Sequence, residues 1–229
     1  MTGKDIWILN LETSTKNCSA GIFLNGEEVS VREVREQKYS HSEKLNSFIE
    51  ECLKEAGITM CEISAVAVSG GPGSYTGLRI GVSTAKGICY GLDIPLIAVD
   101  TMRVLAVSRQ IGQGYIIPVL DARRMEVYQA VFDRVYERVK PTISQVLEPG
   151  TYREYLDEGK VVFVGDAVGK MQEVIRHPNA VFVEHYPSAR EMGRLSYRQY
   201  LKEDFVDTAY FEPFYLKDFI AVAPVSKLK

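Results

Sequence analysis

Residues 63–90 constrain the fold more than any other part of the chain. A nearly unbroken apolar run at 63–68 passes through Ser69-Gly70-Gly71-Pro72-Gly73-Ser74 into a helical pattern from about Tyr75 to Tyr90. A short apolar run of that kind reads as a strand buried on both faces. A glycine-rich turn that feeds directly into a helix then implies an α/β layer rather than an all-α or all-β chain.

The flanking sequence extends the pattern. Residues 6–11 and 18–24 read as strands, and Asn25-Gly26 supplies the positive-φ pair of a two-residue hairpin. Val29, Val31 and Val34 suggest a third strand. Ser40 and Glu43 form a capping box for a helix, in which Leu45, Phe48, Ile49, Cys52, Leu53 and Ala56 make one apolar stripe before Gly57. Another strand follows at 94–99, giving the order βββαβαβ over residues 1–100. From 101 to 229 a similar order recurs more loosely: a helix at 102–110, strands at 115–120, 126–132 and 139–147, a short helix at 151–157, a strand at 161–164, a helix at 171–177, a strand at 180–184 and a helix at 188–203. Residues 213–216 read as a short strand or extended segment, and the chain's end can pack back on the first lobe. Two packed lobes of the actin/Hsp70/sugar-kinase type, each a mixed sheet flanked by helices, account for this order.

Composition narrows the function. With 27 Lys plus Arg against 30 Asp plus Glu the net charge is −3, which argues against an autonomous nucleic-acid binder. No apolar run approaches the ~20 residues of a membrane span. The opening Met1-Thr2-Gly3-Lys4-Asp5 lacks the features of a secretion signal, so the expected compartment is the cytoplasm. Cys18, Cys52, Cys61 and Cys89 contain no C-x-x-C pair and read as small buried hydrophobes. His41, His177 and His185 have no ligand spacing, so surface or capping roles are expected and a metallopeptidase is disfavoured.

The loop at 69–77 is the foremost candidate for chemistry, because backbone N–H groups at a helix start can cradle phosphate. It fits neither the P-loop, which needs a Lys after the last glycine, nor the dinucleotide fingerprint, since Thr76 stands where the third glycine belongs. The helix that follows repeats Gly77, Gly81, Ala85 and Cys89 every four residues. Each helical glycine costs roughly 1 kcal/mol relative to Ala, so some close approach should compensate. The sheet, the neighbouring helix and another chain are all candidates. Asp121, before Arg123-Arg124, is a turn-initiating residue more readily than an acid or base.

These residues resemble one family over nearly the whole chain. The stretch Gly71-Pro72-Gly73-Ser74-Tyr75-Thr76-Gly77-Leu78-Arg79-Ile80-Gly81 carries the resemblance to the TsaB (YeaZ) family. It is supported by residues 8–15, His41-Ser42-Glu43-Lys44-Leu45, residues 121–128 and Pro213-Phe214-Tyr215-Leu216-Lys217. The resemblance implies a noncatalytic subunit for threonylcarbamoyladenosine formation at position 37 of tRNA. Its implied partners are a TsaD-like catalytic subunit and a TsaE-like ATPase, with a homodimer as the alternative when alone and tRNA met only indirectly. In the related catalytic subunit an H-x-x-x-H metal pair follows the strand matching 94–99. Here the matching positions are Thr101 and Leu105, which lack imidazoles. No catalytic residue, metal or resident cofactor is expected. ATP or ADP at the partner interface is left open, with Glu12, Gly71, Gly73 and Ser74 as its candidate contacts. Glu12 departs from the Asp of many family members. Under the resemblance the partner interface is assigned to His41, Leu45, Gly77, Arg79, Gly81 and Ala85, so that Gly81→Leu should weaken pairing and spare the fold. An ATP-dependent phosphotransferase of the same superfold, using Glu12, the 70–74 loop and Gly165-Asp166, is the alternative reading.

Overall fold

The computed structural model describes residues 5–35 and 41–216. Its first sheet contains β1 (Trp7–Glu12), β2 (Asn17–Leu24), β3 (Glu27–Arg35), β4 (Ala65–Ser69) and β5 (Leu96–Val99). They lie in the order β3-β2-β1-β4-β5. The second sheet contains β6 (Tyr115–Asp121), β7 (Glu126–Phe132), β8 (Arg138–Val146), β9 (Val161–Val164) and β10 (Ala180–Val183), in the order β10-β9-β6-β7-β8. Each sheet is therefore an antiparallel three-strand meander extended on its first strand by two parallel strands. This twice-built topology is the two-lobed α/β class that the order of elements implies.

Helices cover the sheets unequally. α1 (His41–Ala56) and α2 (Tyr75–Leu92) pack on one face of the first sheet, against Leu9, Leu11, Ala20, Ile22, Val66 and Val68. On the opposite face Ile8, Ala67, Ile97 and Val99 meet Val104 of α3 (Thr101–Val107) and Met192 of α6 (Ala189–Leu201). The second sheet is covered by the short α4 (Arg153–Glu158) and α5 (Val168–Val174). After α6 the chain stays with the first lobe. Val206 bridges to Leu96, the Ala209 carbonyl accepts from Lys86 Nζ at 3.0 Å, and Phe214 N–H donates to the Gly70 carbonyl at 2.8 Å. Residues 213–216 join no strand ladder.

Local chemistry sets the element ends. Asn25 and Gly26 take φ of 52° and 84°, as a tight hairpin turn requires. α2 runs past Gly91 and stops at Asp93, which adopts the left-handed conformation. α5 starts at Val168 and is over before Ile175, which is extended. The helix expected at 171–177 thus lies about three residues earlier; Pro178 disfavours helical geometry at His177. Thr59 and Glu62 cap a 3-10 turn at Met60–Glu62, and this turn leaves Cys61 exposed rather than buried; Cys18, Cys52 and Cys89 are buried. Ser40, the expected cap of α1, lies outside the described residues.

Candidate functional site

The Gly-rich loop meets the turn between β1 and β2 at close range. Ser74 N–H donates to the Ser14 carbonyl at 2.6 Å, and the Thr13 hydroxyl donates to the Gly77 carbonyl at 2.7 Å. A Cβ on Gly73 would overlap the Ser14 carbonyl oxygen, one on Gly77 the Thr13 carbonyl, and one on Gly81 the Thr13 hydroxyl. On the other side of the loop, a Cβ on Gly71 would press on the backbone of Phe214. Ser74 caps α2 by accepting from Gly77 N–H at 3.3 Å. The glycines at 71, 73 and 77 therefore admit neighbouring backbone of the same chain.

Glu12 closes the arrangement. It is fully buried, accepts from Ser14 N–H at 2.6 Å and is hydrogen-bonded by the Ser69 hydroxyl. Burial pushes its carboxyl above the ordinary range, the hydrogen bonds from Ser14 and Ser69 pull it back, and the charge of Glu191 adds to the rise. Glu12, Gly71, Gly73 and Ser74 are thus brought together around residues 13–15. Together they form a joint in which Glu12 and Gly71 are buried and Gly73 and Ser74 are half-buried.

The second-lobe strand ends carry their own polar cluster. Asp166 Oδ1 accepts from Asp121 N–H at 2.9 Å, and Lys170 Nζ pairs with Asp121 while donating to the Arg124 and Glu126 carbonyls at 2.9 and 2.6 Å. Burial, with the neighbouring Asp121 charge, lifts the Asp166 carboxyl to about 6 against the pull of Lys16 and Lys170. Asp121 is a structural anchor of this hairpin. Arg123 and Arg124 both adopt positive φ there, 67° and 49°, a turn that no Asn-Gly signal announces. Of the histidines, His177 Nδ1 accepts from Asn179 N–H at 3.2 Å and His185 Nε2 lies 3.1 Å from Glu191 Oε1.

The interface residues separate into two groups. Leu45 belongs to the first-lobe core, and Gly77, Gly81 and Ala85 are buried against the sheet and the 13–15 turn. Their assignment to a partner surface is corrected: the stripe is consumed inside the chain. Thr101 and Leu105 are likewise buried, on α3. The His41 side chain lies outside the described residues. Arg79 is exposed; it donates to the Tyr75 hydroxyl at 3.0 Å with its guanidinium 5.3 Å from that ring, and the Tyr75 ring lies tilted at 44° against Tyr215, centroids 5.0 Å apart. Arg79 also borders a groove of about 480 Å³ between α1 and α2, lined by Ser42 and Asn46 of α1 and by Tyr75, Thr76, Ile80, Ser83 and Thr84 of α2.

The outer face of α2 continues from this groove as a second run of small residues, Ser83, Gly87 and Gly91. A Cβ on Gly87 or Gly91 would meet nothing within 4 Å, and the adjacent Tyr90 is 88% exposed. Two helical glycines without an internal neighbour are a cost that the packing of this chain does not offset. This face was missed because spacing alone gives two stripes; Leu78 and Val82, which flank Gly77 and Gly81, are the signal that assigns the inner one to the core.

The comparisons with known proteins agree on the family. The family described as TsaD, tRNA N6-adenosine threonylcarbamoyltransferase, matches residues 34–224. The TsaB tRNA threonylcarbamoyladenosine biosynthesis protein of Haemophilus influenzae is 26% identical over 226 residues, which are 94% of this chain and 95% of that one. Its counterpart in Bacillus subtilis is 32% identical over 171 residues, 72% and 74% of the two chains. Among solved structures, YeaZ from Pseudomonas aeruginosa superposes with a TM-score of 0.80 at 24% identity, covering 92% of this chain and all of that one, and so shares the fold.

Proposed function

The chain belongs to the TsaB branch of the TsaD-type family, and from that premise we propose that it is a noncatalytic subunit in threonylcarbamoyladenosine formation at position 37 of tRNA. It pairs with a TsaD-type catalytic subunit through the outer face of α1 and α2. A TsaE-type ATPase completes the assembly, and the tRNA and the activated threonylcarbamoyl group are handled on the catalytic subunit. Without its partner the same face pairs two copies of the chain. The cytoplasm is the compartment this role requires.

One observation carries this reading: Gly71, Gly73, Gly77 and Gly81 lie against other atoms of this chain closer than a Cβ allows, whereas Gly87 and Gly91 on the outer side of α2 are open. A groove of about 480 Å³ with an arginine, a tyrosine and several hydroxyls on its walls suits a polar, closely approaching helix from another protein. No helix among the described residues is long and apolar enough to cross a membrane, so the exposed aromatics of this face are better explained by a protein partner than by a membrane span.

The test is reconstitution. The purified chain, a TsaD-type subunit and a TsaE-type ATPase are assayed for tRNA modification together and with each one omitted. Product is expected only with all three, and the chain alone should neither bind ATP at micromolar concentration nor turn over any substrate. Modification that proceeds unchanged without this chain, or turnover by the chain alone, would refute the proposal.

A further inference from the structure

The chain crosses between its two lobes twice, after β5 at residues 99–101 and before α6 at residues 184–188. A hinge between lobes needs a few positions at such crossings whose backbone is free to change φ and ψ. Neither crossing contains a glycine, and the second contains Pro187, whose ring fixes φ. Both crossings are held from the two lobes at once. At the first, Thr101 N–H donates to the Gly71 carbonyl of the first lobe at 3.1 Å. Asp100 caps α3 with one oxygen, which accepts from Met102 N–H at 2.7 Å, and its other oxygen pairs with Arg138 of β8 in the second lobe. Arg138 is itself fixed, because it donates to the Thr142 hydroxyl at 2.5 Å and its guanidinium lies 5.0 Å from the centre of the buried Phe132 ring.

At the second crossing the second lobe holds His185, whose N–H donates to the Gly165 carbonyl at 3.4 Å. The first lobe holds the residues that follow. Asn17 donates to the Pro187 carbonyl at 3.0 Å, the Ser188 hydroxyl donates to Glu33 at 2.8 Å, and the Ser19 hydroxyl accepts from Ala189 N–H at 2.9 Å. Arg35 of β3 pairs with Glu184 at 3.6 Å, and its guanidinium lies 4.4 Å from the centre of the Tyr186 ring.

Between the crossings α3 is apolar toward both lobes. Val104 clusters with Ile8, Ala67 and Ile97 of the first sheet, while Met102, Leu105 and Ala106 cluster with Ile116, Leu120 and Phe132 of the second. The Tyr136 hydroxyl of the β7–β8 turn also donates to the Arg109 carbonyl just past the end of α3, at 3.1 Å. Two units joined in one chain move against each other by default, unless a large apolar contact joins them. Closely packed apolar side chains have discrete arrangements and resist gradual sliding. We infer that α3 and the two pinned crossings latch the lobes into one body with a single interlobe angle. The chain then does not close over a ligand by the hinge motion that two-lobed enzymes use.

Distances between pairs of spin labels on the full chain test this. Cys61 is exposed and Cys18, Cys52 and Cys89 are buried, so a thiol-directed label takes Cys61 in the first lobe. Gln172→Cys, at an exposed position of α5, supplies the second-lobe label, and Glu43→Cys, exposed on α1, makes a reference pair with Cys61 inside the first lobe. The interlobe pair is expected to show one distance, with a spread no wider than that of the reference pair. Two distances, or a clearly wider spread, would overturn the latch. Arg138→Gln combined with Asn17→Ala releases one pin at each crossing and should widen the interlobe spread while the reference pair stays as it was. An unchanged interlobe spread in that double variant would also overturn the assignment. The measurement without these two substitutions decides the matter if the double variant does not fold.

Discussion

Gly77 and Gly81 on the inner side of α2, and Gly87 and Gly91 on its outer side, are the same residue at the same spacing in one helix. Their surroundings are opposite. The inner pair lies against the Thr13 carbonyl and hydroxyl, where no side chain fits; the outer pair has nothing within 4 Å. At about 100° per residue, two steps along a helix turn roughly 200°, so residues 81 and 83 start stripes on opposite sides. The inner stripe is accounted for by packing within the chain. The outer one is an unoffset cost, which makes it the informative feature for function.

Substitution should break this symmetry sharply. Gly81→Leu drives a branched side chain into Thr13 and Val68, so it should destabilise the isolated chain by ~3 kcal/mol, read from urea unfolding. An unfolding midpoint equal to that of the parent chain would mean that α2 is not seated as described.

Glu12 sets the pH behaviour of the joint beneath the inner stripe. Its carboxyl takes up a proton more readily in the folded state than at its ordinary value of 4.5. The folded chain therefore binds more protons over that window, and stability falls as pH rises from about 4.5 through the folded value. Gln at this position can still accept from Ser14 N–H and donate to the Ser69 hydroxyl. Glu12→Gln should thus be more thermostable than the parent at pH 8 and lose that advantage toward pH 4. A melting curve series in which the two chains run parallel across this range would remove Glu12 from the account.

The smallest effect belongs to the outer face. Gly87→Ala fills open space and lowers the entropy cost of the helix, so it should stabilise the isolated chain by about 1 kcal/mol. A loss of stability would show that the outer glycines are already used within the chain.

Much of the fold was legible because each lobe repeats strong local signals. Alternating apolar runs, the Asn25-Gly26 turn and the stripe through Leu45, Ile49 and Cys52 mark their elements directly. What escaped was set by contacts distant in sequence or by conformations the residue type does not advertise. The seating of Gly73 and Gly77 against Ser14 and Thr13 joins residues about sixty apart, and the positive φ of Arg123 and Arg124 is held by the β6–β7 hairpin rather than announced by glycine. The site followed the same rule. A glycine-rich loop before a helix reads as a phosphate cradle until the chain segment lying in it is known, and a small-residue stripe does not say which surface covers it.

The central claim, that α2 presents its outer side to a catalytic partner, is tested most directly by titrating the Gly87→Leu chain against a TsaD-type subunit in a calorimeter. The account predicts at least about tenfold weaker binding, some 1.4 kcal/mol, with urea unfolding of the isolated chain no less favourable than that of the parent. Parental affinity from a normally folded Gly87→Leu chain would contradict it.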